Sequence, residues 1–440
     1  MCRPTSINNQ RSNNKSGDVA SHLFGLLFDT FLLIYSVVFF SLFRVGEIIP
    51  LVAAYPYQCI SSLLGAALVL HKSVGRQMTR RLIYVASFCT LIYLIDFHIP
   101  KALPSAGDKV TEQIGTILIT GANSGVGYET ARALAVTYGK DVMLGCRSAT
   151  KCSAAAKTIN DEVAGVGSSG KAIPMHIDLS DFESVFSLVQ QLEGAGQKGK
   201  IDVLFNNAGY GPRNNIPVDS YGLNPAFTSM HLSHHLLTEL LLKTNNPELR
   251  VINTSSFSHH LCAIPFAYLP SFLLEWLNLS QNAGCLDEQF FKEDLYSKTK
   301  TSTYFEAKIA NMMHTVELPR RHGSVAVAVD LGWVGTAIQP WMRVSLSPTS
   351  LGWMRNARIG VLPVLHAIFT PGTELLQGLR GEEGTWADGG VVMNSFGHSM
   401  EAFSTYHWWR DAAGLGRNRM LGLSELLWDT SSSVLRKNGY

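Results

Sequence analysis

Residues 115–127 read GTILITGANSGVG, and this stretch decides the fold of the chain. Its first part, residues 115–120, is short, apolar and rich in β-branched side chains, which predicts a buried strand. A glycine-rich turn follows, and residues 128–139 then continue with the apolar spacing of a helix. A strand, a glycine turn and a helix in immediate succession predict the first unit of a βαβ series.

The chain after this unit repeats the alternation of strand and helix. Further strands are predicted at residues 141–146, 172–177, 201–206, 250–255 and 324–330. A helix is expected at 148–164, and Pro174 would suit the beginning of its strand. This pattern predicts an α/β fold with a doubly wound parallel sheet, a Rossmann fold, over residues 111–345. Residues 346–440 are expected to form a helical extension on the substrate side.

Gly121, Gly125 and Gly127 lie in the turn between the first strand and its helix. Glycines there let the backbone approach a pyrophosphate, which the positive N-terminus of the helix stabilises. The end of the second strand discriminates between nicotinamide dinucleotides, because an acid binds a free ribose hydroxyl and an Arg accommodates a 2′-phosphate. Arg147 stands there without an acid, which favours NADP(H) over NAD(H); an Arg on a solvated loop is the alternative.

Composition points to a membrane and away from nucleic acid. Only 16% of the 440 residues are charged, below the roughly 25% of soluble proteins, and the low charge comes mostly from the first 100 residues. The net charge of +2 is too small to argue for a nucleic acid partner. The seven cysteines are scattered without C-x-x-C spacing, so reduced, buried thiols are expected and no metal site.

The region before the glycine turn predicts a membrane anchor. Residues 1–20 are polar and expected to be disordered. Residues 21–110 form the anchoring region, with apolar stretches at 22–43, 48–70 and 82–99. A spanning helix needs about 20 apolar residues, so the first two stretches qualify, the third is marginal, and two or three apolar helices are expected.

The basic loop between the second and third stretches, residues 71–81, should stay on the cytoplasmic side of a membrane. With three spans the Rossmann domain lies across the membrane from this loop; with the third stretch in the interface it shares the side of the loop. Buried soluble helices are the alternative to spans. An integral protein of the endoplasmic reticulum or a related endomembrane is expected.

Six motifs occur in an order that resembles one enzyme family. They are TGANSGVG (120–127), MHIDLSD (175–181), NNAG (206–209), RVINTSSFSHH (250–260), a Y-x-x-x-K-x-A-N run (304–311) and LGWVGT (331–336). Over about residues 115–340 the chain resembles the short-chain dehydrogenase/reductase family, and within it the retinol-dehydrogenase-like members. A lipophilic substrate is therefore implied, and the resemblance also allows a homodimer through the helix that contains Tyr304.

The resemblance implies a cofactor site and a substrate-holding residue. The cofactor would contact Gly121, Asn123, Ser124, Gly125, Val126, Gly127, Arg147, Asp178, Asn206, Ala208, Gly209, Tyr304, Lys308 and Thr336. Arg147 would meet the 2′-phosphate, Asp178 the adenine, Asn206 and its neighbours the ribose, and Thr336 the nicotinamide carboxamide. Ser256 would hold the substrate oxygen.

Tyr304 and Lys308 form the expected catalytic pair. Moving a hydride to or from an alcohol carbon needs a proton moved at the oxygen, and a phenol with a pKa near 10 is a weak base unless a cation stabilises its phenolate. A Lys four residues later lies on the same helix face. Tyr296 and Lys300 have the same spacing, but only the residues after Tyr304 show the apolar spacing of a helix, which Pro319 would stop.

Two departures from the family pattern bear on activity. Met230 occupies the place of an Asn that in the family helps to hold a water linking the Lys to solvent, and Leu331 replaces a Pro. His231 or His234 would compensate unless each is an ordinary packed histidine. An insertion at 261–295 begins with an apolar, aromatic segment, expected either as a lid that dips into the bilayer surface or as a core-packing hairpin.

These observations favour a membrane-bound, NADP(H)-dependent oxidoreductase that interconverts a lipophilic alcohol and its carbonyl, of retinoid, sterol or fatty aldehyde type. The alternative is an NADP(H)-binding, catalytically weak homologue that acts as a membrane scaffold or sensor, and Met230 and Leu331 motivate it.

Overall fold

A computed structural model describes part of the 440-residue chain. The described residues are 103, 105, 112–196, 200–211, 217–243, 249–256, 304–332, 334, 357–372, 375, 391–393, 399–401 and 417–440. All of them belong to the compact unit Pro100–Tyr440. The predicted tail at 1–20, the three apolar stretches of the anchoring region and the insertion at 261–295 lie outside the described residues. Among the residues that are described, no helix is both long and apolar enough to cross a membrane.

Strands and helices alternate through the described part of the chain. In order they are β1 (Thr116–Thr120), α1 (Gly125–Val136), β2 (Asp141–Cys146), α2 (Ala149–Val166), β3 (Lys171–His176), α3 (Phe182–Gly194), β4 (Ile201–Asn206), α4 (Pro225–Phe227), a π-helical turn (Thr228–Leu232), α5 (Ser233–Leu242), β5 (Arg250–Thr254), α6 (Tyr304–His322), β6 (Ala326–Val329), α7 (Ala357–Gly360), α8 (Leu362–Phe369), β7 (Val391–Met393), β8 (Ser399–Glu401) and α9 (Arg417–Lys437). The six strands expected from the sequence are all present.

The strands form one sheet in the order β3-β2-β1-β4-β5-β6-β7-β8. Neighbouring strands run parallel from β3 to β7, and β8 pairs antiparallel with β7. The predicted parallel, Rossmann-type sheet is therefore confirmed. Strand order reverses between β1 and β4, and in such sheets a crevice opens at the carboxyl ends of the strands at this point.

Side-chain alternation along the strands divides the interior into two cores. On β1, Ile117 and Ile119 belong to one core, whereas Leu118 belongs to the other. The first core includes buried residues of α1, α2 and α8, and the second includes buried residues of α3, α5, α6 and α9. Both faces of the sheet are covered, which explains why its strands read as continuous apolar runs.

Helix α6 runs further than the sequence predicts. It continues through Pro319 to His322, so the expected stop at Pro319 was wrong. A proline removes one N–H from the helical pattern, and here it falls in the last turn, where little helix remains to disturb. The helix ends at His322. The next residue, Gly323, has a φ of 66°, the left-handed conformation that glycine adopts readily, and its N donates to Pro319 O.

Two other features differ from the expectation. Pro174 is the fourth residue of β3 rather than its beginning. It is tolerated because β3 lies at the edge of the sheet and pairs with β2 alone, so that no ladder bond on the outer side is lost. The region 346–440 also supplies β7 and β8 to the sheet, whereas the sequence predicted a helical extension.

Candidate active site

The glycine turn after β1 is packed so tightly that two of its glycines have no room for a side chain. A Cβ on Gly121 would lie 2.9 Å from Ala208 Cα, and one on Gly127 would lie 2.5 Å from Asn207 Nδ2. Gly121 and Gly125 also have φ angles of 67° and 62°, which L side chains rarely adopt. The turn is therefore shaped by its contact with the 206–209 loop as well as by any ligand.

Helix α1 begins at this turn and fits an anion at its N-terminus. Ser124 is the N-cap in extended conformation, and its side chain makes no capping hydrogen bond. Asn123 and Gly125 are half-buried and Ser124 is exposed, whereas Val126 and Gly127 are buried. Backbone amides at the start of a helix bind phosphate groups well, and the side-chain-free glycines leave the backbone open to one. The turn thus fits the pyrophosphate of a dinucleotide.

Thr120 joins the glycine turn to the 206–209 loop. Its hydroxyl oxygen accepts hydrogen bonds from Asn207 N and Ala208 N, both at 3.0 Å. Asn207 Nδ2 donates in return to Thr120 O at 2.8 Å. Thr120 was not among the site residues predicted from the sequence, and Asn207 was included only as a neighbour of Asn206. The available signal was that Thr120 is the polar residue at the carboxyl end of an apolar strand, next to the first glycine.

Asn206 was expected under the cofactor ribose, but its side chain is buried between strands. It is 1% exposed, and its Nδ2 donates to Asn253 Oδ1 at 2.9 Å and to Thr238 Oγ1 at 3.2 Å. Asn206 thus braces β4 against β5 and α5. The residues of the loop that reach the surface are the half-buried Asn207 and Ala208 and the exposed Gly209.

Arg147 and Asp178 follow the carboxyl ends of the neighbouring strands β2 and β3. Arg147 is exposed, and Asp178 is half-buried with Oδ1 accepting from Ser180 N and Ser180 Oγ at 2.9 and 2.7 Å. The strand order therefore brings both residues to the edge of the sheet that carries the glycine turn. This is the arrangement that a dinucleotide extending from the crevice towards β3 requires.

Cys146 and Cys152 form a disulfide, and Arg147 lies in the short loop that it closes. The expectation of reduced thiols throughout the chain was wrong for this pair. Cys146 ends β2 and Cys152 lies in the first turn of α2, and the reversal of the chain between the two elements brings their Cα atoms to 5.8 Å. A spacing of six residues carries no motif, which is why the sequence did not reveal it.

Ser256, Tyr304 and Lys308 come together at the carboxyl end of β5. Ser256 hydrogen-bonds the Tyr304 hydroxyl, and Lys308 Nζ lies 5.5 Å from the centroid of the Tyr304 ring. Lys308 Nζ donates to Thr254 O at 3.1 Å, and Ser255 Oγ donates to Lys308 O at 3.1 Å. The end of β5 therefore holds the first two turns of α6 in place.

Burial is the largest influence on the pKa values of Tyr304 and Lys308. It raises the pKa of Tyr304; the Ser256 hydrogen bond opposes this rise, and the Asp330 carboxylate adds to it. Burial also lowers the pKa of Lys308 to about 8, against the opposing effect of Asp330. The sequence predicts a phenol made more acidic by Lys308, and this structure shows the reverse direction. The reason is that Lys308 is buried, Tyr304 is half-buried, and Lys308 Nζ is directed at Thr254 O.

Comparison with known proteins places these features in a family. The model of the short chain dehydrogenase family matches residues 115–262. A solved short-chain dehydrogenase from Sphingobium yanoikuyae in complex with NADPH is 20% identical with a TM-score of 0.40, covering 57% of this chain and 83% of that chain. Human retinol dehydrogenase 12 is 29% identical over 310 residues, which cover 67% of this chain and 86% of that protein. Human retinol dehydrogenase 13 is 31% identical over 267 residues, which cover 59% of this chain and 70% of that protein.

The chain is a short-chain dehydrogenase/reductase. It is an oxidoreductase related to the retinol dehydrogenases. The expected family membership is confirmed, and with it the binding of a nicotinamide cofactor as a property of the family.

In this short-chain dehydrogenase/reductase, Met230 lies next to Lys308. Met230 is fully buried. A Cβ on Gly209 would lie 3.3 Å from Met230 Sδ and 3.7 Å from Lys308 Nζ, so both side chains reach the same point of the 206–209 loop. A thioether is at best a weak hydrogen-bond acceptor. Met230 therefore does not supply the amide with which the family holds a water.

His231 and His234, the two candidates to compensate for Met230, are both engaged elsewhere. His231 hydrogen-bonds Asn311, and its Nε2 lies 3.1 Å from Ser431 Oγ on α9. Burial lowers the pKa of His231 to about 3 and that of His234 to about 4, so both are neutral at neutral pH. They are packed histidines, as the plainer interpretation of the sequence held.

Some predicted residues of this short-chain dehydrogenase/reductase lie outside the described residues. Thr336 is one of them, and the alternative pair Tyr296 and Lys300 is another. Asp330 was also absent from the predicted site residues; it is a buried carboxylate directly after β6, and its Oδ1 accepts from Gly332 N at 2.9 Å. Its position as the one acid of the predicted apolar strand 324–330, at the carboxyl end of that strand, was the signal that could have identified it.

Proposed function

We propose that the chain is a membrane-bound, NADP(H)-dependent oxidoreductase that interconverts a lipophilic alcohol and its carbonyl, of retinoid, sterol or fatty aldehyde type. The observation that carries the proposal is the hydrogen bond of Ser256 to Tyr304, with Lys308 one helical turn further along α6. The three groups stand at the carboxyl end of β5, on the same edge of the sheet as the glycine turn after β1.

Each of the three residues has a distinct part in this chemistry. The nicotinamide cofactor supplies or takes the hydride. Tyr304 moves the proton at the substrate oxygen, and its raised pKa keeps the phenol protonated at neutral pH, as donation to a carbonyl oxygen requires. Ser256 holds the same oxygen by hydrogen bonding. Lys308, with a pKa of about 8, remains largely cationic at neutral pH and stabilises a developing phenolate.

Preference for NADP(H) rests on Arg147. It is exposed immediately after β2, where no acid is present to bind a free ribose hydroxyl. Arg147→Ala is expected to raise the KM for NADPH about tenfold or more and to leave that for NADH within about twofold, because charge-assisted bonds to phosphate are strong. Lys157→Ala, an exposed cation on α2 paired with Asp161, is the control. Equal effects of Arg147→Ala on both cofactors would count against the preference.

A lipophilic substrate is supported by the names of the relatives, which are retinol dehydrogenases. Membrane attachment and residence in the endoplasmic reticulum or a related endomembrane rest on the apolar stretches of residues 21–110. Alkaline extraction of membranes from cells that express the full chain is expected to leave it in the pellet, and a variant without residues 21–99 is expected in the supernatant. Release of the full chain would contradict the anchor.

A homodimer through α6, which the family resemblance allows, would have to form without the surface that α9 covers. Trp428 of α9 stacks on His314 of α6 with ring centroids 5.0 Å apart, and Asp429 pairs with Arg321 at 3.0 Å. The proposal therefore does not depend on a second copy of the chain.

Turnover by the full-length protein tests the proposal directly. The purified chain in detergent is given NADPH with a panel of retinoid, sterol and fatty carbonyls, and NADPH consumption is followed. Tyr304→Phe is expected to reduce the rate at least about a hundredfold, because it removes the proton donor. Tyr440→Phe, which loses a hydroxyl bonded to Glu183, is the matched control and should retain activity. No turnover with any carbonyl or corresponding alcohol would refute the enzymatic proposal.

The second candidate function is a catalytically weak, cofactor-binding scaffold or sensor at the membrane. Met230, fully buried beside Lys308, is the observation that favours it. NADPH binding with undiminished cellular function of Tyr304→Phe is the expected result for this alternative, and loss of cellular function in Tyr304→Phe is the result that excludes it.

A further inference from the structure

His234 has both ring nitrogens in hydrogen bonds, which defines its tautomer. Nδ1 lies 3.1 Å from Met230 O, and Nε2 lies 2.9 Å from Thr120 Oγ1. A carbonyl oxygen can only accept, so Nδ1 carries the proton and donates to Met230 O. Nε2 is then the acceptor, and the Thr120 hydroxyl donates to it.

The Thr120 hydroxyl is consequently saturated. It has one proton, which goes to His234 Nε2, and two lone pairs, which accept from Asn207 N and Ala208 N at 3.0 Å each. The other acceptor near the hydroxyl is Phe205 O, at the longer distance of 3.5 Å. If His234 did not accept, the proton would turn to Phe205 O, and the lone pairs would turn away from the two amides.

We infer that His234 is a positioning residue: by accepting the Thr120 proton it fixes the 206–209 loop against the glycine turn, and thereby sets the width of the cofactor crevice. This inference rests on the proposed cofactor site. Thr120 precedes Gly121, and Gly121 touches Ala208 so closely that a Cβ would lie 2.9 Å from Ala208 Cα. A shift of the loop is therefore transmitted directly to the turn.

Burial makes the contact difficult to replace. Thr120 is fully buried and His234 is 2% exposed. Water that would satisfy the hydroxyl on a surface has no access here, so removing the acceptor leaves a buried donor with a poor partner. Burial and the charge of Lys308 together lower the pKa of His234 to about 4, against the opposing effect of the hydrogen bond to Met230 O, so the ring stays neutral and able to accept.

The π-helical turn before α5 selects which histidine faces Thr120. In this turn Ser233 N reaches back five residues to Thr228 O, and the extra residue rotates everything after it by roughly one position, about 100°. His234 consequently points at β1. The next residue, His235, points at α9, where its Nε2 lies 3.0 Å from Ser432 Oγ. Single π-turns inside helices are frequent at functional sites.

Cofactor affinity of paired variants tests the inference. His234→Asn places an amide where Nδ1 stood and removes the acceptor for Thr120, whereas His234→Gln places a side-chain oxygen near the position of Nε2. We expect His234→Asn to raise the Kd for NADPH about fivefold to tenfold and His234→Gln to stay within about threefold. His235→Asn is the matched control, a buried neighbour expected to change thermal stability but to leave the Kd within about twofold.

A double-mutant cycle with Thr120 tests whether His234 acts through that hydroxyl. In the Thr120→Val background His234→Asn is expected to change the Kd by less than about twofold, whereas Thr120→Ser, which keeps the hydroxyl, should preserve the full effect. An equal effect of His234→Asn in the Val background and in the wild type overturns the inference.

Hydrogen exchange of the full chain without nucleotide separates this inference from the proposed function. His234→Asn should accelerate exchange at the amides of Asn207 and Ala208, and His235→Asn should not. If the wild type binds neither NADPH nor NADH, the proposed function fails while the exchange result still decides the hydrogen bond. If the wild type binds NADPH and His234→Asn matches it in affinity and exchange, only the role of His234 is refuted.

Discussion

The two halves of the sheet hold their functional groups by different means. In the first half, residues 116–178, the backbone shapes the site: Gly121 and Gly127 leave no space for a Cβ, and Arg147 is exposed. The second half comprises α9 and the described residues within 201–256 and 304–332. There, buried side chains hold the functional groups in place. Lys308 is 4% exposed and Asn253 is 1% exposed. Substitutions in the first half are therefore expected to disturb the site through steric clashes. Substitutions in the second half are expected to disturb it by leaving buried polar groups unpaired and by removing packing contacts.

The largest effect is expected in the second half, from Trp428→Ala. Trp428 is 5% exposed, stacks on His314 and lies against Arg321 with 5.2 Å between the Arg321 Cζ and the ring. Removing a buried indole is expected to lower the free energy of unfolding by about 3–5 kcal/mol, measured by chemical denaturation. Trp428→Phe keeps a ring in place and should lose less. A loss below about 1 kcal/mol for the Ala variant would show that α9 contributes little.

The next largest effect is expected in the first half, from a substitution that places a side chain against the glycine turn. A Cβ on Gly127 would lie 2.5 Å from Asn207 Nδ2 and 2.7 Å from Gly121 O. Gly127→Ala is therefore expected to weaken NADPH binding about a hundredfold, or about 2.7 kcal/mol, with titration of the nucleotide as the measurement. Gly165→Ala is the control, because a Cβ there meets nothing within 4 Å and a helix gains about 0.5–1 kcal/mol. Similar NADPH affinity of Gly127→Ala and the wild type would mean that the turn accommodates the added methyl group without losing binding free energy.

Acid should weaken the second half. The pKa of His231 is lowered by burial from 6.5 to about 3, so between these pH values the unfolded chain binds a proton that the folded chain does not. The contribution of His231 is full above pH 6.5 and is lost as the pH falls, by about 1.4 kcal/mol per pH unit. Burial also depresses the pKa of His234, His235 and His314, which steepens the loss.

Urea denaturation of the full chain between pH 7 and pH 5 measures this slope. His231→Gln removes one titrating group and should flatten the slope by about 1 kcal/mol per pH unit averaged over this range, because the unfolded histidine is only partly protonated near pH 6.5. Gln191→Ala, at an exposed position of α3, changes no titratable group; it is the control and should leave the slope unchanged. A slope that His231→Gln does not alter would contradict a buried neutral histidine at this position.

The same contrast explains what could be predicted from the sequence. Gly121, Gly125 and Arg147 could be proposed as site residues because glycine spacing and strand ends are local patterns. Tyr304 and Lys308 could be proposed because they are four residues apart on one helix. The bonds of His234 to Thr120 and of Asn206 to Asn253 join residues 114 and 47 positions apart, and no local pattern reports them. The disulfide was missed for a related reason, since it depends on the return path of the chain between β2 and α2.

The smallest expected effect concerns Met230, where the sequence raised a doubt about turnover. Met230→Asn would offer an amide beside Lys308 and is expected to raise kcat up to about tenfold if proton exchange through a held water limits the rate. The new buried amide should also cost about 1–3 kcal/mol of stability, so kcat and the denaturation midpoint are measured together. Met230→Leu keeps the apolar volume and should leave kcat within about twofold. If Met230→Asn folds and binds NADPH but turns over no faster, the thioether does not limit proton transfer. The interpretation of Met230 as the cause of a catalytically weak homologue then loses its support, because the same residue would be compatible with the full rate of the enzyme.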